Sequence, residues 1–343
     1  MPLSENLWIQ QVNQCLRIPK DKRQERVLDL FAGCGGLALG FEAVGFKTYG
    51  FETKLDCVET YRLNLTGECV CEYLTPKTQY PKAEIVIGGP PCQPFSVGGN
   101  QKGFEDSRDG FPTFISAIEQ LKPSIFLFEN VRGLLYRNKW YFDQIKQSLE
   151  KLGYIVEAQL LNAKYYGVPQ NRERVVVVGH RGGFKFPQSN PNIVSAGTAL
   201  GSMFEEIPDN PKWLTPSMDA YITKYEKASC CKNPRDLHSD RPARTLTCRN
   251  LAGATGDMHR VRLPDGRRRR ITIREAARLQ SFPDWFEFTG SKTEQYYQIG
   301  NAVAPLFAKS LAQAVIDYLD RGAKYSSQEV MHGKGQIKQL SLF

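Results

Sequence analysis

Cys92 stands in a setting typical of a catalytic nucleophile. It follows two prolines in the segment GGPPCQPFS (88–96), directly after the apolar run IVI. Prolines restrict the backbone before the thiol, and a thiolate is a soft nucleophile. A lone cysteine is more often a small buried side chain. Here the Pro-Pro-Cys-Gln context, and the polar, Gly-rich stretch 96–110 after it, favour covalent catalysis beneath a closing loop.

Glu129 and two arginines supply polar groups that such a nucleophile needs. Glu129 lies near the end of the apolar run SIFLFEN (124–130), and Arg172 and Arg174 precede the run VVVV. A carboxyl group in a cleft can act as a proton donor; the alternative is an acid that caps the next turn. Arginines two positions apart on an extended segment point to one face and can hold an anion or a carbonyl oxygen. The alternative for them is an exposed, salt-bridged start of a strand.

A Gly-rich turn and a distant acid predict a nucleoside-containing cofactor. DLFAGCGG (29–36) joins an apolar run to a helical pattern, and Gly33 and Gly35 are spaced loosely as in a dinucleotide fingerprint. Glu52 ends the next apolar run about 20 residues on, where a carboxylate can accept both ribose hydroxyls. The alternative for Glu52 is a solvated acid, and these residues alone leave the identity of the cofactor open.

Short apolar runs alternate with amphipathic stretches over the first 180 residues. Strands are predicted over 26–32, 47–52, 83–89, 124–130, 154–161 and 174–180, and helices over 36–44, 56–65, 111–121 and 140–152. This alternation predicts an α/β fold with a doubly wound, mostly parallel sheet. Because parallel strands end at one edge, Glu52, Cys92 and Glu129 should lie along the same edge.

The pattern changes after about residue 182, where Pro, Gly, Asn, Ser and Arg become frequent and a smaller, irregular, β-containing domain is expected. Between residues 235 and 278 there are 12 Arg and 5 acids, a surplus of +7 out of the chain's +9. VRLPDGRRRRITI (261–273) predicts a hairpin, whose RRRR run (267–270) we expect to lie solvated and to contact phosphates. Helical spacing is present over 271–285 and 305–319, and a frayed polar tail is expected from residue 321.

Composition narrows the class of protein. The 343 residues are 41% hydrophobic and 24% charged, which excludes collagen-like, mucin-like and wholly disordered chains. No apolar run predicts a membrane span, and the first residues lack the apolar core of a signal peptide. Nine Cys without a C-x-x-C pair and four scattered His predict no disulfide framework and no metal site. The net charge of +9 is compatible with a nucleic-acid partner.

Seven blocks, in their order along the chain, resemble the cytosine-carbon-5 DNA methyltransferase family of the bacterial restriction–modification type. They are DLFAGCGG, Glu52, PPCQ, ENV, QNRER, REAARLQSFP (274–283) and QIGNAVAP (298–305). The resemblance implies that Cys92 attacks carbon 6 of a flipped-out cytosine while Glu129 hydrogen-bonds or protonates ring nitrogen 3. It further implies that Arg174, with Arg172, holds the carbonyl oxygen of the base, and that carbon 5 receives a methyl group from S-adenosylmethionine.

The same resemblance assigns the S-adenosylmethionine pocket to seven residues. They are Phe31, Gly33, Gly35, Glu52, Pro90, Asn301 and Val303. Two departures from the family pattern concern the adenine end of that pocket. Thr53 stands where many relatives carry an aromatic residue, and only Glu72 represents the acid expected after the third strand.

For DNA, the resemblance implies a target-recognition domain over 183–289 and a catalytic and cofactor-binding domain over 1–182 and 290–343. RPARTLTCRN (241–250) resembles the Thr-Leu segment of family recognition domains. The expected DNA contacts are Gln93, Ser96, Arg244, Thr245, Leu246, Arg249, Arg267 and Arg268. The expected protein is a cytoplasmic monomer that acts on double-stranded DNA and is paired in function with a cognate restriction endonuclease.

Three other functions account for part of the sequence. A tRNA-directed relative shares the catalytic blocks, but the basic segment between QNRER and REAARLQ and the lack of a Cys-Phe-Thr signature favour DNA. A nicotinamide-dependent oxidoreductase is suggested only by the Gly-rich turn and leaves PPCQ and ENV unexplained. A catalytically silent DNA-binding module does not explain why Cys92 and Glu129 are both present.

Overall fold

The computed structural model describes residues 6–91, 109–228, 235–253 and 256–333, and a seven-stranded sheet forms its centre. The strands of this sheet are Arg26–Leu30 (β1), Lys47–Glu52 (β2), Glu68–Cys71 (β3), Ile85–Gly88 (β4), Ile125–Val131 (β5), Ile155–Asn162 (β6) and Glu173–His180 (β8). Their spatial order is β3-β2-β1-β4-β5-β8-β6. The adjacent strands β3, β2, β1, β4 and β5 are parallel to one another, and β8 runs antiparallel to its neighbours β5 and β6. The predicted mostly parallel sheet is therefore confirmed.

Helices connect the strands, and shorter elements follow them. The helices of the first half are Leu7–Cys15 (α1), Gly36–Glu42 (α2), Leu55–Asn64 (α3), Phe111–Leu121 (α4) and Lys139–Lys151 (α5). The later helices are Ala196–Leu200 (α6), Pro216–Ala228 (α7), Cys248–Ala252 (α8), Ile273–Leu279 (α9), Lys292–Asn301 (α10) and Pro305–Gly333 (α11). The remaining strands are Gln170–Asn171 (β7), Ala243–Arg244 (β9), Arg260–Arg262 (β10) and Arg268–Arg270 (β11).

Both faces of the sheet are covered, which explains why its strands are apolar at successive positions. Ile125 and Leu127 of β5 pack on one face with Leu311 of α11. Phe126, between them, packs on the other face with Phe114 of α4. Alternate residues of a strand point to opposite faces, so a strand covered on both sides needs apolar residues at every position.

The predicted hairpin is present, and the predicted end of the last helix needs correction. Strands β10 and β11 pair antiparallel from Arg260↔Arg270 to Arg262↔Arg268. The terminal helix α11 runs to Gly333, so the prediction that it ends near 319 with a frayed tail from 321 is wrong for the described part. The sequence analysis did not predict helices α1, α6, α7, α8 and α10 or strands β3, β7 and β9. The helical stretch 292–322 is long and apolar enough to cross a membrane, but 61% of its most apolar window is buried inside the protein, as in a core helix.

The segment after residue 183 shares a core with the first half of the chain. One apolar cluster contains Val58 and Tyr61 of α3 together with Leu246, Leu263 and Phe282. Burial of apolar surface across this contact stabilises both parts together. The division into domains at 183 and 289 stays a prediction.

Most of the RRRR run is used inside the protein, so the expectation of a solvated run is wrong for Arg268, Arg269 and Arg270. Arg269 is 1% exposed and forms an ion pair of 2.7 Å with Glu275. Arg268 pairs with Asp236 and Asp219, and Arg270 donates to the carbonyl oxygens of Leu251 and Gly253. Arg267 alone of the four is exposed; it pairs with Asp265 and lies over the ring of Trp213.

Other arginines of the surplus are also paired internally. Arg260 is fully buried between Asp236 and Glu226. Arg235 and Arg244 share Asp257. Arg268 of the hairpin also pairs with Asp236, and with Asp219 of α7. This arginine therefore joins the hairpin to α7. Much of the excess positive charge therefore holds this part of the chain together.

Arg269→Met should destabilise the protein by about 3–5 kcal/mol, because it leaves the carboxylate of Glu275 buried without its partner. The matched change Arg267→Met, two positions away in the same run, should cost about 1 kcal/mol or less, because that ion pair is exposed. The free energy of unfolding in urea measures both. Equal losses for the two variants would contradict the different environments described above.

Candidate active site

The strand order places two clefts along one edge of the sheet. The first, of about 260 Å³, is lined by Phe31, Phe51, Glu52, Thr53, Glu72, Tyr73, Leu74, Pro91, Asp109, Gly110 and Thr113. These residues follow the ends of β1, β2, β3 and β4 or begin α4. Carboxyl ends of parallel strands are the usual position of ligand sites in such sheets.

The Gly-rich turn forms the floor behind this cleft. Phe31, Gly33 and Gly35 all have positive φ values, of +60°, +56° and +88°. A Cβ at Gly35 would lie 2.5 Å from Leu65 Cδ1. At the next residue, Gly36, it would lie 2.4 Å from the carbonyl oxygen of Val303. The glycines therefore allow both the tight turn and a close approach of the distant QIGNAVAP block.

Glu52 holds the turn and faces the cleft. One of its carboxylate oxygens accepts from Gly33 N at 2.9 Å, and the other accepts from Thr53 N and Lys54 N. Hydrogen bonds from backbone N–H groups fix the orientation of a carboxylate. The same carboxylate is placed where hydroxyl groups of a ligand can reach it.

The part of the first cleft near Thr53 and Glu72, where the sequence departs from the family pattern, is lined by further side chains. Thr53 lines the cleft, and so do Tyr73 and Leu74 directly after β3. The sequence analysis did not single out Tyr73 or Leu74, although they follow Glu72 in the segment CEYLTP. The side chains of Tyr73 and Leu74 give this part of the cleft an apolar surface, which the short side chain of Thr53 does not provide.

Asp29, at the start of DLFAGCGG, is a buried acid behind the turn. It is 1% exposed, and neither of its carboxylate oxygens has a hydrogen-bond partner among the described residues. Burial raises the pKa of Asp29 well above its ordinary value, and the charge of Glu52 adds to this shift. The surroundings of Asp29 therefore favour the protonated form of its carboxyl group.

The second cleft, of about 410 Å³, adjoins the ends of β5 and the start of β8. It is lined by Val131, Arg132, Gly133, Asn171, Glu173, Arg174 and Thr245. Glu129 is opposite Val176 in the ladder, so Arg174 is its diagonal neighbour on the same face. Arg174 Nε lies 2.7 Å from Glu129 Oε1, with side chains 12% and 11% exposed. The structure thus brings these two predicted catalytic residues together.

The residues just before the predicted nucleophile are described, and the nucleophile is not. Cys92, Gln93 and Ser96 lie outside the described residues. The carbonyl oxygen of Pro90 accepts from Asn130 Nδ2 at 2.9 Å. Asn130 follows Glu129, so this bond ties the Pro-Pro segment to the strand that carries the acid. Pro91, rather than the predicted Pro90, lines the first cleft.

Arg172 is placed differently from Arg174. Its side chain is 2% exposed and donates to the carbonyl oxygens of Leu246, Gly300 and Ala302 at 2.7, 3.2 and 3.0 Å. Burial lowers the pKa of Arg172 well below its ordinary value, and repulsion from Arg174 adds to this shift. This position favours a structural role, and contact of Arg172 with a base stays a prediction.

The predicted DNA contacts are also placed unevenly. Thr245 lines the second cleft and donates to the carbonyl oxygen of Asn171. Leu246 is fully buried, with its N–H donating to Gln170. Arg244 is partly buried against Asp257, and Arg249 is exposed on α8. Asn301 is exposed and Val303 is 9% exposed; the DNA and cofactor contacts of these residues stay predictions.

Metal binding finds no support in the part of the chain that the structure describes. No group of three or more His, Cys, Asp or Glu side chains there is arranged to hold a metal ion. Burial raises the pKa values of Cys57 and Cys69 to about 12, so these two thiols stay protonated at neutral pH.

Asp29→Asn should flatten the pH dependence of stability. The folded protein keeps a proton on Asp29 that the unfolded chain releases above about pH 4, so stability is full below that pH and falls as pH rises toward the raised pKa. The expected slope for one proton is about 1.4 kcal/mol per pH unit. Urea unfolding measured from pH 4 to 8 tests this, with the exposed acid change Glu59→Gln as control. A slope unchanged in Asp29→Asn would show that the carboxyl group is ionised in the folded protein.

The chain is similar in sequence to C-5 cytosine-specific DNA methylases. A family model for C-5 cytosine-specific DNA methylases matches residues 25–317. The chain is 53% identical over 310 residues to the type II methyltransferase M.AplI of Arthrospira platensis, covering 89% of each protein. It is 33% identical over 342 residues to the type II methyltransferase M.NgoFVII of Neisseria gonorrhoeae, covering 88% of this chain and 89% of that protein.

Solved structures are similar in fold. The methyltransferase EhMeth of Entamoeba histolytica matches with a TM-score of 0.67 at 19% identity, covering 87% of this chain and 99% of that one. DNMT2 of Spodoptera frugiperda matches with a TM-score of 0.65 at 17% identity, covering 85% of this chain and 100% of that one. At such identities the likeness supports the fold alone, whereas the sequence matches establish the family. The chain belongs to the C-5 cytosine-specific DNA methylases of the bacterial restriction–modification type and is an enzyme that methylates cytosine in DNA.

Proposed function

We propose that the enzyme methylates carbon 5 of a cytosine that is flipped out of a specific duplex site, through a covalent adduct with Cys92. The Glu129–Arg174 pair carries this proposal, because it lines up a carboxyl group and a guanidinium beside a cleft next to the Pro-Pro segment that precedes Cys92. The reacting carbon of a stacked base is inaccessible inside a duplex, so the base must leave the stack.

The residues of the chain divide the work of addition and elimination. The thiolate of Cys92 forms a bond to carbon 6 of the ring, and Glu129 donates a proton to ring nitrogen 3, so that carbon 5 becomes nucleophilic. Arg174 holds Glu129 in place and neutralises charge near the carbonyl oxygen of the base. After carbon 5 has gained the methyl group, it loses its proton to solvent, the Cys92 thiolate departs, and ring nitrogen 3 returns its proton to Glu129, which restores the aromatic ring.

The first cleft fits S-adenosylmethionine. Glu52 offers a carboxylate held by backbone N–H groups for the ribose hydroxyls, and Phe51, Tyr73 and Leu74 offer apolar wall for adenine. Phe31, with its positive φ, directly follows β1 and lines the same cleft. When bound there, S-adenosylmethionine supplies a methyl group on a positively charged sulfur.

The DNA-facing surface is smaller than the arginine content suggests. Thr245 lines the second cleft, which we call the target cleft. Arg249, Arg262 and Arg267 are exposed cations of the segment 183–289, which we propose as the target-recognition domain. We propose that these cations position the duplex through phosphate contacts. We further propose a monomer that acts on DNA in the cytoplasm and protects it from a cognate restriction endonuclease, as the type II names of the relatives suggest.

Labelling tests the substrate and the site. The protein is incubated with tritiated S-adenosylmethionine and either duplex DNA or tRNA, and methylated cytosine is expected only in the DNA. Label in tRNA alone would favour the RNA-directed alternative. Expression in a host without other methyltransferases, followed by sequencing of methylated cytosines, identifies the recognition site directly.

Cys92→Ser should lower turnover by about a thousandfold or more, as expected for removal of a nucleophile. Duplex binding should be kept, because the change removes one sulfur atom and no contact to phosphate. Filter binding and single-turnover methylation measure the two properties. Turnover close to that of the wild type would refute the assignment of Cys92.

Arg172→Lys and Arg174→Lys should have opposite effects. Arg172→Lys loses hydrogen bonds to buried carbonyl oxygens and should cost about 2–3 kcal/mol of stability, with kcat of the folded enzyme little changed. Arg174→Lys should lower kcat by about a hundredfold with a smaller loss of stability, because it disturbs Glu129. Urea unfolding and steady-state kinetics decide, and the reverse pattern would assign the base contact to Arg172.

A further inference from the structure

Asp109 is a buried acid in the wall of the cofactor cleft. It is 8% exposed and lines the cleft beside Gly110 and Thr113. One of its carboxylate oxygens accepts from Phe111 N at 3.1 Å, and the other accepts from the hydroxyl of Tyr141, a fully buried side chain of α5. These two hydrogen bonds hold the carboxyl group of Asp109 at a fixed point of the cleft.

The strand order fixes where that point is. The cleft runs along the strand ends from β3, which contributes Tyr73, through β2 and β1 to β4, which contributes Pro91. The N–H of Gly110 donates to the carbonyl oxygen of Pro91 at 3.0 Å. Asp109 is thereby held at the β4 end, and β5, which carries Glu129, is the next strand.

Close packing keeps Asp109 there. A Cβ at Gly110 would lie 2.5 Å from Pro91 Cδ and 2.9 Å from Phe31 Cζ, so only glycine fits between these two rings without a shift. Tyr141 fixes the carboxylate from the side of α5. The position of the carboxyl group is thus set by backbone contact on one side and by a buried hydroxyl on the other.

We propose that Asp109 binds the positively charged end of the methyl donor. The inference rests on the proposed function: the methyl group must lie beside the base, and the target cleft begins at β5, so the donor's methionine end must lie at the β4 end. The sulfonium and the α-ammonium are both at that end, whereas the adenine is uncharged. Carboxylate contacts with cations are stronger in a cleft that is shielded from water.

A consequence of this charge is preference for the donor over the spent product. S-adenosylhomocysteine keeps the ammonium but lacks the charge on sulfur, so it gains less from Asp109. Methylthioadenosine lacks the whole amino-acid end and carries no charge there. The three ligands therefore report separately on the charge and on the shape of the cleft.

The test compares Asp109→Asn with Glu72→Gln in the full chain, by calorimetric binding of the three ligands without DNA. Each variant removes one carboxylate from the same cleft, at the β4 end or the β3 end. Asp109→Asn should weaken S-adenosylmethionine binding by about tenfold, S-adenosylhomocysteine binding by less, and methylthioadenosine binding by about twofold at most. Glu72→Gln should change all three affinities by a common factor.

Tyr141→Phe gives a second measurement that keeps the carboxylate and removes its tether. It should weaken S-adenosylmethionine binding by about threefold and leave methylthioadenosine unaffected. Unchanged S-adenosylmethionine binding in Asp109→Asn, or an equal loss for all three ligands, would overturn the inference. Failure of the wild-type protein to bind S-adenosylmethionine would instead contradict the proposed function.

Discussion

The arrangement of the site depends on the hydrogen bonds that the buried guanidinium of Arg172 donates to three distant segments of the chain. A cation removed from water must be compensated by well-placed acceptors. Its acceptors are the carbonyl oxygens of Leu246, Gly300 and Ala302, which lie 74, 128 and 130 positions along the chain. The two terminal nitrogens of the guanidinium find these acceptors only when the segments are in place together. One side chain thus couples the fold of the distant blocks to the strand start that carries Arg174.

The reversed strand β8 explains how the chemistry is assembled. Parallel strands bring their carboxyl ends to one edge, and an antiparallel neighbour brings its first residues to that edge. Glu129 near the end of β5 and Arg174 at the start of β8 become diagonal neighbours for this reason. The cleft from β3 to β4 and the cleft at β5 and β8 are then adjacent, because β4 and β5 are neighbouring strands of the sheet.

Much of the fold, and part of the site, follows from the sequence. Doubly buried strands, the Gly-rich turn and the hairpin have strong local patterns, and the mostly parallel sheet is as expected. Arg172 was expected to share a face with Arg174, but it lies between β7 and β8, where the chain leaves one sheet for another and its side chain turns inward. The fate of Arg268, Arg269 and Arg270 depends on acids such as Asp219 and Glu275 that only the folded chain brings near. Asp109 gave no signal, because a single acid in a Gly-rich stretch is ordinary.

The course of β8 also fixes where the segment that follows it leaves the sheet and where it returns. The strand leaves the sheet at His180, opposite the first residue of β6, at the edge remote from both clefts. The chain then returns over the height of the sheet, which is roughly 25 Å for an eight-residue strand. It pairs with β7 at strand β9, where Ala243 lies opposite Gln170. That return point is fastened by Arg172 and Gln170 to the backbone of Leu246. The segment between them adds Ala196, Leu200 and Leu237 to the apolar cluster that contains Val58 and Tyr61, so it is held to the rest of the chain by its core as well as by its two ends.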